Sequence, residues 1–251
     1  VNSSRQIKPM QAFLVEVGGI YAQTNRYKLY VNGTLVSLGP ARNDIYNWTF
    51  ETVDIARWLK KGKNTLASIV WNFGAYKPVA QMSFQQTAFI VQGNGPSEQL
   101  VNTNASWKGI QNKSYKPVSR DLKTYFVVGP GDEIDAAAYP WGWDKNNYND
   151  SSWESVIPIM PGAGKGTMDY PGWQLVPRSI PQMELTNERI PKLRLAKGMK
   201  SLGNFPLDGG NYNIPASSKV SFLLDQTHLT TAYLNLKFSK GKNARINISY
   251  A

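Results

Sequence analysis

Residues 132–143, DEIDAAAYPWGW, set Asp132, Glu133 and Asp135 just ahead of Tyr139, Trp141 and Trp143. Two carboxylates facing each other across a sugar are the machinery of glycoside hydrolysis, one acting as acid and the other as nucleophile or base. Neighbours on one loop rarely face each other in that way. The acids therefore read as turn caps, the rings as core packing, and Trp141 and Trp143 as the residues of this stretch that would contact sugar. A second stretch, residues 42–50, holds Arg42, Asp44, Tyr46, Trp48 and Phe50. Arg42 and Asp44 can pair and hold the loop after a hairpin while Trp48 and Phe50 enter the next strand. A fixed Arg–Asp pair beside exposed rings is a way to hold sugar hydroxyls and equally a way to tie down a loop. The candidate carbohydrate contacts are thus Arg42, Asp44, Trp48, Trp141 and Trp143, with no catalytic residue among them.

Other motifs fall short of the chemistry they suggest. Residues 144–150, DKNNYND, place oxygens at alternate positions like the start of a calcium loop. The central glycine is missing and Ser155 stands where the bidentate Glu is needed, so no metal is expected. GAGKGT at 162–167 suggests a phosphate loop, but Ile159 occupies the required glycine and Gly166 replaces the Ser or Thr. His228 is the one histidine, which leaves a Ser-His-Asp triad or a histidine metal cage without its parts, and it reads as flanking a strand. With no cysteine there is neither thiolate nucleophile nor disulfide frame. No cofactor is implied.

The elements that must position these residues are mostly strands. Tyr27, Leu29 and Val31 alternate with Lys28 and Tyr30, and Asn32-Gly33 is a strong hairpin signal leading to a return strand over 34–38 that stops at Gly39-Pro40. Asp54 can cap a short helix that Lys61-Gly62 ends, and Leu66, Ser68 and Val70 begin a strand running to residue 73. Further strands are expected over 86–92, 125–128 and 153–159, with loops around short strands over 93–119. Prolines recur every few residues from 160 to 191, and a domain boundary falls near Glu188. Three strand-like runs follow between 212 and 251. This gives a domain over 1–187 with a loop-rich C-terminal extension, and a second β module over 188–251 that looks incomplete.

The 251 residues carry 28 Lys and Arg against 17 Asp and Glu, a formal charge of +11. That balance attracts phosphate in general. The lysines are spread along the chain, however, and the densest group, Arg57, Lys60, Lys61 and Lys63, sits beside a turn without any RNA-binding signature. It reads as a solvated basic face, so no nucleic-acid partner is expected. No stretch approaches the roughly 18 apolar residues of a membrane span, and no membrane partner is expected either.

Three segments carry a family resemblance: RYKLYVNGTLVSLGPARND, DIARWLKKGKNTLASIVWNFG and VVGPGDEIDAAAYPWGWDKNNYNDSSWE. Together they resemble the N-terminal β-sandwich region of bacterial α-L-rhamnosidases of glycoside hydrolase family 78. QLVPRSIPQM and the stretch from IPASSKVSFLL onward resemble that family's next segment, which opens a second β-sandwich. The hairpin followed by Gly-Pro-Ala-Arg-x-Asp is the most specific motif. The resemblance implies an all-β fold, a galactose-binding-like jelly-roll β-sandwich followed by the start of a second β-sandwich. It also implies a parent enzyme that hydrolyses by inversion in an (α/α)6 barrel following the β domains. The barrel's acids have no counterpart here, so this chain alone is expected to be inactive. Its partners would be a rhamnose-containing carbohydrate and the parent's barrel, and its setting periplasmic or secreted. The alternative is an independent lectin-like module for rhamnose-containing glycans.

Overall fold

A computed structural model describes residues 12–17, 25–44, 46–72, 87–118, 131–159, 162–167, 174–199, 205–206 and 211–250. The fold is all-β. The chain divides into two compact units, Val1–Pro181 and Gln182–Ala251. The first contains β1 (Ala12–Val17), β2 (Asn25–Val31), β3 (Thr34–Gly39), β4 (Trp48–Phe50), β5 (Leu66–Asn72) and β6 (Lys108–Gln111). It continues with β7 (Tyr115–Val118), β8 (Gly131–Ile134), β9 (Glu154–Ser155), β10 (Ala163–Gly164) and β11 (Gln174–Pro177). The second contains β12 (Lys192–Lys197) and β13 (Ser221–Asp225). The described strands of the first unit form a mixed sheet in the order β3-β2-β5-β1-β6-β9, a parallel sheet β10-β11-β4, and the ribbon β7-β8.

The hairpin forms where the sequence places it. Asn32 and Gly33 both take positive φ, 51° and 81°, which is the backbone that a two-residue turn between right-twisted strands requires. The register runs from Val31 opposite Thr34 to Tyr27 opposite Gly39, with a shift between Leu29 and Tyr30. β5 lies between β2 and β1, and both of its faces are buried, with Ile69 and Trp71 half-buried. Leu66 and Val70 join Leu29, Val31, Val101 and Trp107 in one core, while Ala67 on the opposite face packs with Trp143 and Trp153 in another. Trp107 is fully buried, and its indole N–H donates to Asn102 O at 2.9 Å, so burial leaves that donor satisfied.

Two asparagines lock the hairpin tip to the following segment. Asn32 donates to Trp58 O and to Asn64 Oδ1, both at 2.9 Å, and accepts from Thr65 N at 3.0 Å. Asn64, buried, also accepts from Lys60 N and donates to Lys60 O, each at 2.8 Å. These bonds account for the first departure from expectation. The helix predicted after Asp54 shrinks to one 3-10 turn, Ala56–Trp58, with Asp54 Oδ1 accepting from Ala56 N at 2.9 Å. The carbonyls of Trp58 and Lys60, which a longer helix would aim along its axis at amides further on, accept from asparagine side chains instead.

The predicted strand over 86–92 forms no ladder across its described residues, 87–92. Thr103 takes the ladder's place, donating its amide to Val91 O at 3.0 Å and accepting from Val91 N at 3.3 Å through its hydroxyl. The strand predicted over 153–159 is cut to Glu154–Ser155. The one predicted over 125–128 lies outside the described residues.

In the second unit β12 pairs antiparallel with β13, and Phe205, Tyr212 and Phe222 cluster with centroids 5.1 to 6.3 Å apart. Of the three runs predicted between 212 and 251, only 221–225 enters a ladder; its partner, 192–197, was not among them. Alternation over 233–238 and 246–250 favours extended backbone, but a ladder also needs a neighbouring strand in register, and Phe238, Ile246, Ile248 and Tyr250 are exposed.

Candidate functional site

The loop leaving the hairpin is held by a buried carboxylate. Parallel pairing of Pro177 with Phe50 sets the residues that follow, Arg178 and Glu51, side by side. The Glu51 side chain is 1% exposed. Its Oε1 accepts from Ala41 N at 2.7 Å and from Arg178 Nη1 at 3.1 Å, and its Oε2 accepts from Tyr27 OH at 2.7 Å. Arg178 passes the restraint on, donating Nε to Ile180 O and Nη2 to Pro181 O, both at 2.8 Å. Arg26 Nη1 donates to Pro40 O, and burial, reinforced by Arg42, lowers its pKa. Gly39 is needed because a Cβ there would stand 2.5 Å from Glu51 Oε2 and 2.7 Å from the Tyr27 ring. Gly-Pro-Ala therefore carries the chain around Glu51 and out to the surface.

At the surface the loop presents an exposed polar cluster. Asp44 Oδ1 accepts from Tyr46 N at 2.7 Å and from Asn47 Nδ2 at 2.8 Å, and Asp44 Oδ2 accepts from Asn47 Nδ2 at 2.7 Å. Asn47 Oδ1 in turn accepts from Lys165 Nζ. Lys165 arrives from the glycine-rich stretch 162–167, because Leu175 pairs with Gly164 on one side and Trp48 on the other, and Lys165 N donates to Leu175 O at 2.9 Å. The Asn47 side chain, the Tyr46 amide and the charge of Lys165 hold the Asp44 carboxyl below its ordinary range. The predicted Arg42–Asp44 pair thus gives way to an Asp44–Asn47–Lys165 chain, in which Lys165 supplies the cation. Tyr46, whose amide joins this chain, is 71% exposed.

The second aromatic stretch separates into a buried and an open part. Trp143 is 4% exposed, meets Tyr30 edge-on at 5.4 Å and donates Nε1 to Tyr139 OH at 3.2 Å. Trp141 is 70% exposed, with its Nε1 donating to Ala136 O at 2.7 Å and its ring 4.7 Å from that of Tyr139. Burial, with Tyr139 and Asp144 nearby, pushes the Tyr30 hydroxyl up to about 12. Of the candidate contacts, Arg42, Asp44 and Trp141 lie at the surface, whereas Trp48 and Trp143 are buried. Trp143 packs with Ala67 and Trp153 in a core, and neither it nor Trp48 stands open at the surface. Tyr46, Asn47 and Lys165 join Asp44 in this cluster without having been among the candidates. Tyr46 and Asn47 were legible as polar neighbours of Asp44, but nothing in the sequence tied Lys165 to them.

The acidic residues do not form a facing pair. Asp132 and Glu133 are successive positions of β8 and so project to opposite faces of the ribbon, with Glu133 in register with Lys116. Burial raises the pKa of Asp132. Asp135 caps the next turn, its Oδ1 accepting from Ala137 N at 2.9 Å. In the calcium-like stretch, Asp144 lies 3.6 Å from Lys145 Nζ and Asp150 lies 3.2 Å from Lys108 Nζ. Among the described residues no group of His, Cys, Asp or Glu is placed to hold a metal ion. No described helix is long and apolar enough to cross a membrane. His228 stands exposed in the bend after β13.

No family model matches the chain, and no curated protein matches it. Its fold is shared with part of a rhamnosidase. The crystal structure of a GH78 family rhamnosidase of Bacillus sp. GL1 is similar with a TM-score of 0.52 and 20% identity, over 73% of this chain and 19% of that one. The chain therefore spans about a fifth of the length of the rhamnosidase it matches, and at this identity the likeness establishes the fold.

Proposed function

We propose that this chain is a non-catalytic β-sandwich portion of an α-L-rhamnosidase, an enzyme that removes terminal α-L-rhamnose from glycans or glycosides. The (α/α)6 barrel that performs the hydrolysis lies elsewhere in the enzyme, and the sandwich positions it and lines its approach. Its partners are that barrel and a rhamnose-containing carbohydrate, in a periplasmic or secreted setting. The observation that carries this reading is the fold shared with part of a GH78 rhamnosidase. The projection of Asp132 and Glu133 to opposite faces also favours a non-catalytic role, since a glycosidase pair must converge on one bond. The test is incubation of the purified chain with an aryl α-L-rhamnoside. No turnover above buffer is expected, and turnover abolished by Glu133→Gln would overturn the reading.

A second reading, an independent lectin-like module for rhamnose-containing glycans, is favoured by the exposed rings of Tyr46 and Trp141. It requires saturable heat on titration with a rhamnoside, and a flat titration at millimolar sugar would remove it.

A further inference from the structure

We infer that Asp44, Tyr46, Asn47 and Lys165 form a binding site for a neutral pyranose, which lays one apolar face on the Tyr46 ring and directs a vicinal pair of hydroxyls to Asp44 and Lys165. This deepens, and rests on, the reading of the chain as a carbohydrate-handling portion of a glycosidase.

The geometry matches the chemistry of a diol. Asn47 is fully engaged, giving its amide to both Asp44 oxygens and its carbonyl to Lys165. It acts as a spacer that fixes an anionic acceptor and a cationic donor next to each other. Asp44 Oδ1 is filled by the Tyr46 amide and Asn47 Nδ2, but Oδ2 keeps an acceptor site and the Lys165 ammonium has two further N–H groups, so Oδ2 can accept from one hydroxyl while Lys165 donates to its neighbour. The Tyr46 amide donates to Asp44, which fixes the backbone that carries the exposed ring. The exposed ring offers an apolar face, and the carboxylate and ammonium offer an acceptor and a donor, the two kinds of contact a pyranose makes.

Charge decides against an anionic ligand. The chain carries a formal charge of +11, but this cluster sets one carboxylate against one ammonium, so a phosphate at Lys165 would meet Asp44 as well. A purely structural role is also weakly supported. The loop is already held from inside by Glu51, whereas exposed ion pairs and hydrogen bonds add little stability. Trp141 is the poorer candidate for the same ligand. Its N–H is committed to Ala136 O and so is not available to a ligand on the ring.

The test is isothermal titration of the full chain with methyl α-L-rhamnoside, repeated for Tyr46→Ala, Lys165→Met and Trp141→Ala, with inorganic phosphate as the competing probe. Circular dichroism and thermal melts confirm that each variant is folded, and Tyr46→Phe, which keeps the ring, serves where Tyr46→Ala is not. The expected result is millimolar binding that weakens about tenfold or more in Tyr46→Ala and Lys165→Met and persists in Tyr46→Phe and Trp141→Ala. Sugar binding unchanged in Tyr46→Ala and Lys165→Met overturns the site while leaving the rhamnosidase reading intact. So does phosphate binding that depends on Lys165, or the absence of any sugar binding. The rhamnosidase reading stands or falls separately, on the hydrolysis assay.

Discussion

Replacing Glu51 tests whether the hairpin loop is held as described. The Glu51 carboxylate is 1% exposed and serves three donors: the Ala41 amide, the Tyr27 hydroxyl and the Arg178 guanidinium, which is itself 13% exposed. Glu51→Ala leaves all three facing a void, the situation in which a buried ion pair loses one partner at a cost of 3–5 kcal/mol. Arg178 keeps its bonds to Ile180 and Pro181, so the lower end, about 3 kcal/mol, is expected. For a unit of this size that is a fall in Tm of roughly 6–12 °C. Glu51→Gln separates charge from geometry. The amide oxygen can still accept from Ala41 and Arg178, while its NH2 donates to Tyr27 OH, which can turn its own hydrogen to Ser37 Oγ 3.2 Å away. That variant loses only the charge assistance, about 1 kcal/mol. The assay is urea unfolding followed by tryptophan fluorescence. All eight tryptophans lie within residues 1–181, so the signal reports the first unit alone. A Glu51→Ala variant within about 0.5 kcal/mol of wild type would refute the argument, because an exposed surface substitution costs no more than that. Equal losses in Glu51→Ala and Glu51→Gln would instead assign the effect to charge and not to the hydrogen-bond geometry.

Further outcomes follow from the same packing. Gly39→Ala pushes a methyl against Glu51 and Tyr27 and should cost about 1–3 kcal/mol in the same urea assay, an overpacking penalty that an unchanged midpoint would rule out. Trp143→Ala should cost about 3–5 kcal/mol because it empties a buried indole site, whereas Trp141→Ala should cost under about 0.5 kcal/mol; reversed losses would contradict the placement of the two rings. Tyr30 is raised from 10.0 to about 12 by burial, so the unfolded chain loses this proton first. Its contribution to stability is complete below pH 10 and fades as pH climbs toward 12, and an ultraviolet titration should lose one late tyrosine in Tyr30→Phe while Tyr27, which burial raises as well, still titrates late. Asn32→Gly keeps the turn backbone but strips three hydrogen bonds, and a loss of about 1–3 kcal/mol in thermal melts is expected; no loss would mean the asparagine serves the turn alone.

Features that depend on neighbours along the chain were legible before folding. The hairpin was legible because Asn-Gly supplies the positive φ of its turn and residues 27–31 alternate with the strand period. The buried strand at 66–72 was legible from the same periodicity. Local signals also overreached: Asp54 promised a helix that the side chains of Asn32 and Asn64 cut short, and the strand expected over 86–92 formed no ladder, Thr103 taking its place at Val91. Which candidate residues stand at the surface was set by how the sheets pack. Trp48 and Trp141 look alike in sequence, but an aromatic ring packs in a core as readily as it stacks on a sugar, and only the surrounding sheets settle which face remains open. The loop after the hairpin is fixed by a carboxylate whose cation lies 127 residues away, and the cluster on its surface is completed by a lysine 118 residues away. Such pairings carry no periodicity or spacing, because the chain between them can be any length that parallel strands allow. They exist only once β4 and β11 lie side by side.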